Sequence, residues 1–382
     1  MQTNTDRILT THVGSMPRPE DLAELLYKIE FSEPYDGDAF ERTARQAVDD
    51  IVAQQIEWGF DIINDGEMAK TGYATYIQQR LDGFSGESAS IRFDDMTNFP
   101  EYRREQATAA GTRRLNRPCC TGEVTVRDRV PLERDIANLK AATADTSAQD
   151  VFMNAASPGV ITVFQDNHHY PSDEAYLQAL ADVMKEEYEA IVAAGFILQI
   201  DCPDLAMGRH TAFRELSDAE FLGHAALQIE ALNSALENIA ADRVRMHICW
   251  GNYEGPHHRD IPLAAILDEV LKAKPMGLLI ESSNPRHAHE WNVFAERGLP
   301  DDKVLIPGVI DSVTNYIEHP ELVAQRICQF ADVVGRERVI AGADCGFATF
   351  AGMGAVDAKI AIEKFKALTE GAAIASKRLW VR

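Results

Sequence analysis

The fold is decided by the stretch Phe196-Ile197-Leu198-Gln199-Ile200-Asp201, which directly follows Gly195. An apolar run of this length is typical of a strand buried on both faces, as in a parallel sheet covered by helices. The residues before it, 172–194, repeat their apolar positions with the period of an amphipathic helix, and the glycine ends that helix. A long helix followed directly by a fully buried strand predicts an α/β fold.

The same alternation of strand and helix extends in both directions along the chain. Further strands are predicted at residues 7–15, 60–64, 151–155, 243–250, 277–281, 304–311 and 339–346. Helices are predicted near residues 38–58, 132–142, 261–272, 286–297, 320–332 and 355–377. Eight strands alternating with helices favour a (β/α)8 TIM barrel over an open sheet, and we expect residues 1–382 to form one domain. The polar segment 84–123 is predicted to be a hairpin-bearing insertion near the mouth of the barrel.

The composition excludes several classes of partner. The chain has 37 basic and 60 acidic residues, a net charge of -23, which argues against nucleic acid and anionic membranes. No apolar run approaches the roughly 20 residues of a membrane span, and the N-terminus lacks the features of a signal peptide. Six scattered cysteines fit thiols or metal ligands better than a disulfide framework. We therefore expect a cytoplasmic protein that handles small molecules, with association into a homo-oligomer left open.

Polar side chains fall at or just beyond the carboxyl ends of the predicted strands. They are Ser15, Glu67, Asp201, His247, Cys249, Glu281, Asp311 and Cys345. In (β/α)8 enzymes this face of the barrel carries the active site. Residues far apart in the sequence are therefore expected to meet on one rim.

Two soft metal ligands end one of these strands, in the motif His247-Ile248-Cys249. Because strand side chains alternate, both point to the same face. Alone, such a pair is more often part of an ordinary core, but Glu281 and Cys345 end two other strands on the same rim. Imidazole, thiolate and carboxylate together suit zinc. The sequence therefore predicts a Zn2+ site formed by His247, Cys249, Glu281 and Cys345.

Other histidines are rival ligands. They are the pairs His168-His169 and His257-His258 and the spaced pair His287 and His289. The pair at 257–258 lies in a loop with no strand to fix it. We expect these two histidines to be solvated, with substrate contact as the alternative.

Two carboxylates on the rim, Glu67 and Asp201, would attract an ammonium group, although each could instead cap a helix or pair with a nearby charge. Ser15 follows Gly14 in the first turn after a strand, and it either binds a carboxylate or only forms the turn. Trp250 either stacks on a flat substrate or packs under the metal loop, and both readings stay open.

The predicted ligand set indicates a type of chemistry. Zinc bound by two thiolates and a histidine is electron-rich and hence a modest Lewis acid towards water. It is better suited to binding a substrate thiol as thiolate, because the metal lowers the thiol pKa. Glu281 is a protein ligand that the incoming sulfur can displace. A zinc-bound thiolate as nucleophile predicts alkyl transfer to sulfur rather than hydrolysis.

With these motifs, the chain resembles the catalytic C-terminal barrel of cobalamin-independent methionine synthase, in the superfamily that includes uroporphyrinogen decarboxylase. The resemblance runs from Thr10-Thr11-His12-Val13-Gly14-Ser15 to Asp344-Cys345-Gly346. It looks like a short form without the family's duplicated N-terminal barrel. It implies zinc ligands at the four predicted positions, and homocysteine as the thiol. The homocysteine carboxylate would lie at Val13 and Ser15, and its ammonium at Glu67 and Asp201.

One position departs from the family pattern in a way that affects the chemistry. The family's acid–base histidine falls on Val313, which cannot carry a proton. The resemblance leaves that role to another group, such as Asp311 or His12. The alkyl donor is therefore open among methylfolate, a methylated corrinoid protein and an epoxide.

Two alternative functions follow from the same residues. Epoxyalkane:coenzyme M transferase is similar to this family and opens an epoxide with a zinc-bound thiol. The insertion carries Arg103, Arg104, Arg113 and Arg114, which would then hold the sulfonate of coenzyme M. The other alternative is a metal-free decarboxylase-like or ligand-binding barrel.

Overall fold

The computed structural model describes residues 1–109, 116–352 and 354–380. The strands are β1 (Ile62–Ile63), β2 (Leu81–Ser85), β3 (Cys119–Val126), β4 (Asp150–Ala156), β5 (Ile197–Asp201), β6 (Val244–Ile248), β7 (Gly277–Ile280), β8 (Val304–Ile310) and β9 (Gly342–Ala343). The helices are α1 (Glu20–Glu30), α2 (Gly37–Glu57), α3 (Pro100–Ala109), α4 (Val130–Ala142), α5 (Pro158–Phe164), α6 (Asp173–Ala193), α7 (Asp218–Ala235), α8 (Leu263–Val270), α9 (Trp291–Arg297), α10 (Pro320–Val334) and α11 (Ala358–Trp380). None of the helices in the described ranges has the length and apolar character that a membrane crossing requires.

Seven of the described strands form one sheet in the order β1-β4-β5-β6-β7-β8-β9. Every neighbouring pair is parallel. Parallel neighbours need crossover connections, and the helices supply them. From β4 onward the spatial order follows the chain order, which is the arrangement of successive β/α units.

Residues 9–11 join the two edge strands of this sheet, β1 and β9. Thr11 donates its N–H to the carbonyl of Ala341 at 2.8 Å, and Ala341 donates to Leu9 at 2.9 Å. On the other side, the carbonyl of Thr10 accepts from Ile62 at 3.0 Å. These bonds close the described strands into a ring, and the predicted TIM barrel is confirmed.

The predicted first strand, residues 7–15, has the expected position but not a regular structure. Leu9 donates its N–H to Asn4 Oδ1 at 2.8 Å, and Thr10 donates to Asp61 Oδ2 at 2.9 Å. Because side chains take these donors, a continuous ladder of backbone hydrogen bonds cannot form on either side. The segment is held in the barrel by side chains as much as by its neighbouring strands.

The insertion contains the predicted hairpin. Strands β2 and β3 pair antiparallel, with a register irregularity in β2. Between them, the hydroxyl of Tyr102 donates to the carbonyl of Glu254 at 2.8 Å. This contact holds α3 against the loop after β6, at the carboxyl end of the barrel. Arg113 and Arg114 lie outside the described residues.

Four of the described helices, α1, α3, α5 and α7, were not among the predicted elements. Helix α1 begins directly after Pro19. Glu20 in its first turn favours the helix N-terminus electrostatically. Helix α7 begins with a capping box of Ser217 and Glu220, which is readable in the sequence. Its apolar residues are spread around the helix, so the amphipathic periodicity is weak.

The barrel interior is filled with side chains. Its apolar residues are Leu9, Val13, Ile62, Phe152, Ile197, Leu279, Val304, Ile306 and Ile340. Arg245 on β6 is fully buried and donates to Gln199 Oε1 and Thr11 Oγ1, each at 2.8 Å. Arg245 precedes His247 by two residues and therefore shares its face of the strand. This filled interior forms a floor below the residues at the strand ends.

Candidate metal centre

His247, Cys249 and Cys345 meet where β6 and β9 end. One imidazole nitrogen and the two sulfurs lie within 4.8 Å of one another, and Cys345 Sγ is 3.5 Å from His247 Nε2. All three side chains are buried. The fold thus brings together three of the four side chains that the sequence predicts as metal ligands.

The donor set fits zinc. A tetrahedral ion with Zn–S bonds of about 2.3 Å and a Zn–N bond of about 2.0 Å holds its ligand atoms about 3.5 Å apart. The separation of 3.5 Å between Cys345 Sγ and His247 Nε2 agrees with this value. Two sulfurs and an imidazole favour zinc over magnesium or calcium, which prefer oxygen ligands.

The two cysteines influence each other's ionisation. A hydrogen bond from Cys345, together with the neighbouring His247, holds the pKa of Cys249 well below its usual range. Burial, followed by the interaction with Cys249 and the charge of Glu281, raises the pKa of Cys345 well above its usual range. The pair therefore favours a thiolate on Cys249, which is the form that binds a soft metal.

Glu281 directly follows β7, the strand next to β6. Its side chain is buried, and its two oxygens accept hydrogen bonds from the N–H of Trp250 and the amide of Asn284, each at 3.0 Å. Each oxygen keeps a lone pair that these bonds do not use. Glu281 is not in the group of three ligand atoms that lie within 4.8 Å. Its role as a fourth, displaceable ligand stays a prediction.

Glu67 and Asp201 form a pair of buried carboxylates on the same rim. Asp201 accepts from Asn154 Nδ2 at 3.1 Å and from Gln199 Nε2 at 2.8 Å. Glu67 is 3% exposed, and its Oε2 has no hydrogen-bond partner among the described residues. Burial raises the pKa of Glu67 to about 7, and the charge of Asp201 adds to the effect. A buried carboxylate oxygen without a donor is costly, and an ammonium ligand would supply donors.

The turn at Val13, Gly14 and Ser15 packs between Asn154 and the segment after Cys345. The carbonyl of Val13 accepts from Asn154 Nδ2 at 2.9 Å. Gly14 has a φ of 143°, and a Cβ there would lie 2.5 Å from Asn154 Oδ1. A Cβ on Gly346 would lie 1.9 Å from Ser15 Oγ. These close approaches place the turn beside both the carboxylate pair and the cluster of His247, Cys249 and Cys345, hereafter the cysteine group.

Trp250 packs under the loop that follows Cys249. Its side chain is 0% exposed, its ring stacks on His287 with centroids 4.0 Å apart, and its Nε1 donates to the carbonyl of Ile261 at 2.6 Å. A fully buried ring with one face stacked and its polar atom bonded leaves no exposed surface for a substrate. Of the two readings of Trp250, these contacts favour packing over stacking on a substrate.

His12 and Asp311, the two expected acid–base groups, are engaged elsewhere. His12 bonds Gln55 of α2 at 2.6 Å, and burial lowers the pKa of its imidazole to about 3. Asp311 Oδ1 accepts the backbone N–H groups of Val313 and Thr314, at 2.6 and 3.1 Å. Neither side chain is directed at the cysteine group by any contact among the described residues.

The rival histidines divide into two sets. The exposed ones are His168, His169, His258 and His289. His257 and His287 are buried at 3% and 2% exposure, so the expectation that His257 is solvated is wrong. Both contact Asp260, which fixes the loop that the sequence had indicated to be free.

Asn154 was missed by the sequence analysis. It lies on β4 and donates to Asp201 and to the carbonyl of Val13, and its Oδ1 accepts from Asn64 at 3.0 Å. It therefore links the first turn to the carboxylate pair. The signal that could have found it is the one that found Asp201, a polar side chain near the end of an apolar strand.

The comparisons with known proteins agree with this geometry. The sequence model of the family described as "Cobalamin-independent synthase, Catalytic domain" matches residues 8–364. The 2-hydroxypropyl-CoM lyase of Xanthobacter autotrophicus is 26% identical, covering 97% of this chain and 96% of its own. A methionine synthase of Sulfolobus acidocaldarius is 24% identical, covering 97% and 93%.

Solved structures show the same fold. The B12-independent methionine synthase of a Shewanella species, in complex with selenomethionine, superposes with a TM-score of 0.75 at 20% identity, over 98% of this chain and 100% of the other. The putative vitamin-B12 independent methionine synthase of Listeria monocytogenes gives 0.66 at 19% identity, over 97% and 98%. Since the family match spans nearly the whole barrel, the chain belongs to the family of cobalamin-independent synthase catalytic domains.

Proposed function

We propose that this chain catalyses the zinc-dependent transfer of a methyl or other alkyl group to the sulfur of a thiol. Family membership supports the reaction class, since similar proteins are named methionine synthase and 2-hydroxypropyl-CoM lyase. The observation that carries the proposal is the group of His247, Cys249 and Cys345, with two sulfurs and an imidazole nitrogen within 4.8 Å. Zinc bound there would lower the pKa of the substrate thiol, so that the thiol reacts as the nucleophilic thiolate.

The residues around the cysteine group favour an amino-acid thiol similar to homocysteine. Glu67 and Asp201 offer two buried carboxylates, and one Glu67 oxygen has no donor in the described ranges. An ammonium group bound between them would compensate their burial. The turn at Val13 and Ser15, packed against Asn154, would hold the substrate carboxylate through the serine hydroxyl.

The placement of the acid–base candidates bears on the alkyl donor. Asp311 holds a turn, and His12 is buried in contact with Gln55. A donor such as methylfolate needs a proton on its leaving amine, whereas a methylated corrinoid does not. The arrangement therefore favours a donor whose leaving group needs no proton from these two residues.

Epoxide opening by coenzyme M is the second candidate, and the 2-hydroxypropyl-CoM lyase relative is the observation that favours it. The carboxylate pair argues against it, because coenzyme M has no ammonium group for Glu67 and Asp201 to bind.

The first prediction separates these candidates by the loss of thiol. Purified protein loaded with zinc is assayed with homocysteine and with coenzyme M, each against methylfolate, a methylated corrinoid and an epoxide. We expect homocysteine to be alkylated, and Glu67→Gln to lower its kcat/KM by about 10-fold or more through loss of a charged hydrogen bond. Glu24→Gln, at an exposed position, serves as the control. Preferential alkylation of coenzyme M would overturn the assignment, and full activity in a His247→Ala variant would favour the metal-free alternative.

A further inference from the structure

A second group of ligand-type side chains lies beside the cysteine group, in the segments that follow β6 and β7. His257, Asp260 and His287 each offer one ligand atom within 4.8 Å of the others, and all three are buried. Asp260 Oδ2 is 2.8 Å from His257 Nδ1 and 2.9 Å from His287 Nε2. One carboxylate oxygen thus lies between two inward-facing imidazole nitrogens.

The outward-facing nitrogens of the two histidines have acceptors of their own. His287 Nδ1 is 2.8 Å from Glu290 Oε2, and His257 Nε2 is 3.1 Å from the carbonyl of Tyr253. Metal-binding histidines usually donate their second ring N–H to a carboxylate or a backbone carbonyl, which fixes the tautomer and aims the other nitrogen at the ion. Both rings have this arrangement.

His210 adds two atoms without partners to the same place. It is 1% exposed, and neither of its ring nitrogens has a hydrogen-bond partner among the described residues. Asp260 Oδ1 is equally without one, although it lies only 3.3 Å from His210 Nδ1. A buried imidazole and a buried carboxylate oxygen left unsatisfied side by side both destabilise the fold. An ion between them would satisfy both.

We propose that His210, His257, Asp260 and His287 form a second site for a divalent transition metal, separate from the cysteine group. Three imidazoles and one carboxylate favour zinc or a neighbouring first-row ion over magnesium or calcium. Four protein ligands that leave no open position are typical of a structural site. Its ligands come from three connecting segments, after β5, β6 and β7, so the ion joins these segments at the mouth of the barrel.

This site would stabilise the centre next to it. The ring of Trp250 stacks on His287 and its backbone N–H donates to Glu281, so this residue connects one ligand of the new site to the predicted fourth ligand of the other. The role of His287 and Asp260 is therefore positioning, since no contact within the described part of the chain directs them at the cysteine sulfurs.

The test is metal stoichiometry together with the absorption spectrum of the cobalt-substituted protein, and it does not depend on the proposed activity. We expect the wild-type chain to bind two equivalents of Co2+, and His287→Gln to bind one, with the thiolate-to-cobalt charge-transfer bands retained. A Cys249→Ser and Cys345→Ser double variant should keep one equivalent and lose those bands. His289→Gln, exposed on the same segment, is the matched control.

One equivalent in the wild type, lost in the double cysteine variant and unchanged in His287→Gln, would overturn the proposal and leave the cluster as a hydrogen-bonded network. The double cysteine variant alone decides the matter if His287→Gln does not fold, because it leaves the second site intact. Failure of the alkyl-transfer assay would leave this stoichiometry unaffected.

Discussion

Glu67 is the residue whose chemistry depends most on its burial. Burial raises its carboxyl pKa from 4.5 to about 7, so in the free protein stability falls as the pH rises from the first value to the second, and this loss is complete above pH 7. A bound ammonium group reverses this preference, because it favours the carboxylate. Substrate binding and ionisation of Glu67 are therefore coupled.

The pH dependence of substrate binding follows from this coupling. We expect the kcat/KM for an amino-acid thiol to fall by up to about tenfold per pH unit below pH 7, as Glu67 becomes protonated. In Glu67→Gln the profile between pH 5 and 8 should be flatter as well as lower. The measurement is kcat/KM against pH for both proteins, with Glu24→Gln as control. Identical profile shapes for wild type and Glu67→Gln would contradict the assignment.

The cysteine group could be predicted from the sequence because strand geometry is regular. Side chains two apart share a face, so His247 and Cys249 could be paired without knowing the fold, and the carboxyl ends of the strands supply Cys345. The cluster around Asp260 could not be predicted in this way, since loop residues have no period. The position of Trp250 depends on His287, which lies beyond the next strand.

The segment at residues 9–11 is the element that closes the barrel. Asp61 holds it by accepting from the N–H and hydroxyl of Thr10, at 2.9 and 3.0 Å, and from Arg7 Nη1 at 2.7 Å. The same segment continues into the turn that carries Ser15. Its attachment therefore bears on both stability and substrate position.

Removing this attachment should destabilise the protein. Asp61→Ala leaves the buried N–H of Thr10 without its acceptor and removes the partner of Arg7, and we expect a loss of about 1–3 kcal/mol in the free energy of unfolding. The check is urea unfolding followed by circular dichroism. Asp49→Ala, on the exposed face of α2, is the matched control and should change stability by less than about 0.5 kcal/mol. A loss in Asp61→Ala no larger than in the control would show that the segment is held by other contacts.

Element positions were predicted well where one apolar period dominates, as in α6 and β5. They were predicted poorly where side chains replace backbone pairing. Asn4 and Asp61 take the donors of the first strand, and neither contact is visible in a local pattern. Helix α7 was missed because apolar residues surround it, although its capping box at Ser217 marks where it begins.

The closed barrel brings the ends of separate strands together in one site. The sheet is parallel and closed, so residues after the strands reach the same rim, and the filled interior around Arg245 keeps them there. On that rim the cysteine group lies next to the carboxylate pair: Asp201 on β5 is paired in register with His247 on β6. This adjacency favours a substrate that carries both a thiol and an ammonium group.

The most direct test of the central claim is X-ray absorption at the zinc edge of the zinc-loaded protein, recorded with and without homocysteine. A thiol that binds the ion held by His247, Cys249 and Cys345 must add a sulfur neighbour at about 2.3 Å. We predict that the sulfur coordination number of the zinc rises when homocysteine is added. It should keep its starting value when the amino acid serine, which has a hydroxyl in place of a thiol, is added instead. A sulfur count unchanged by the thiol, or a protein that binds no zinc, would contradict the account.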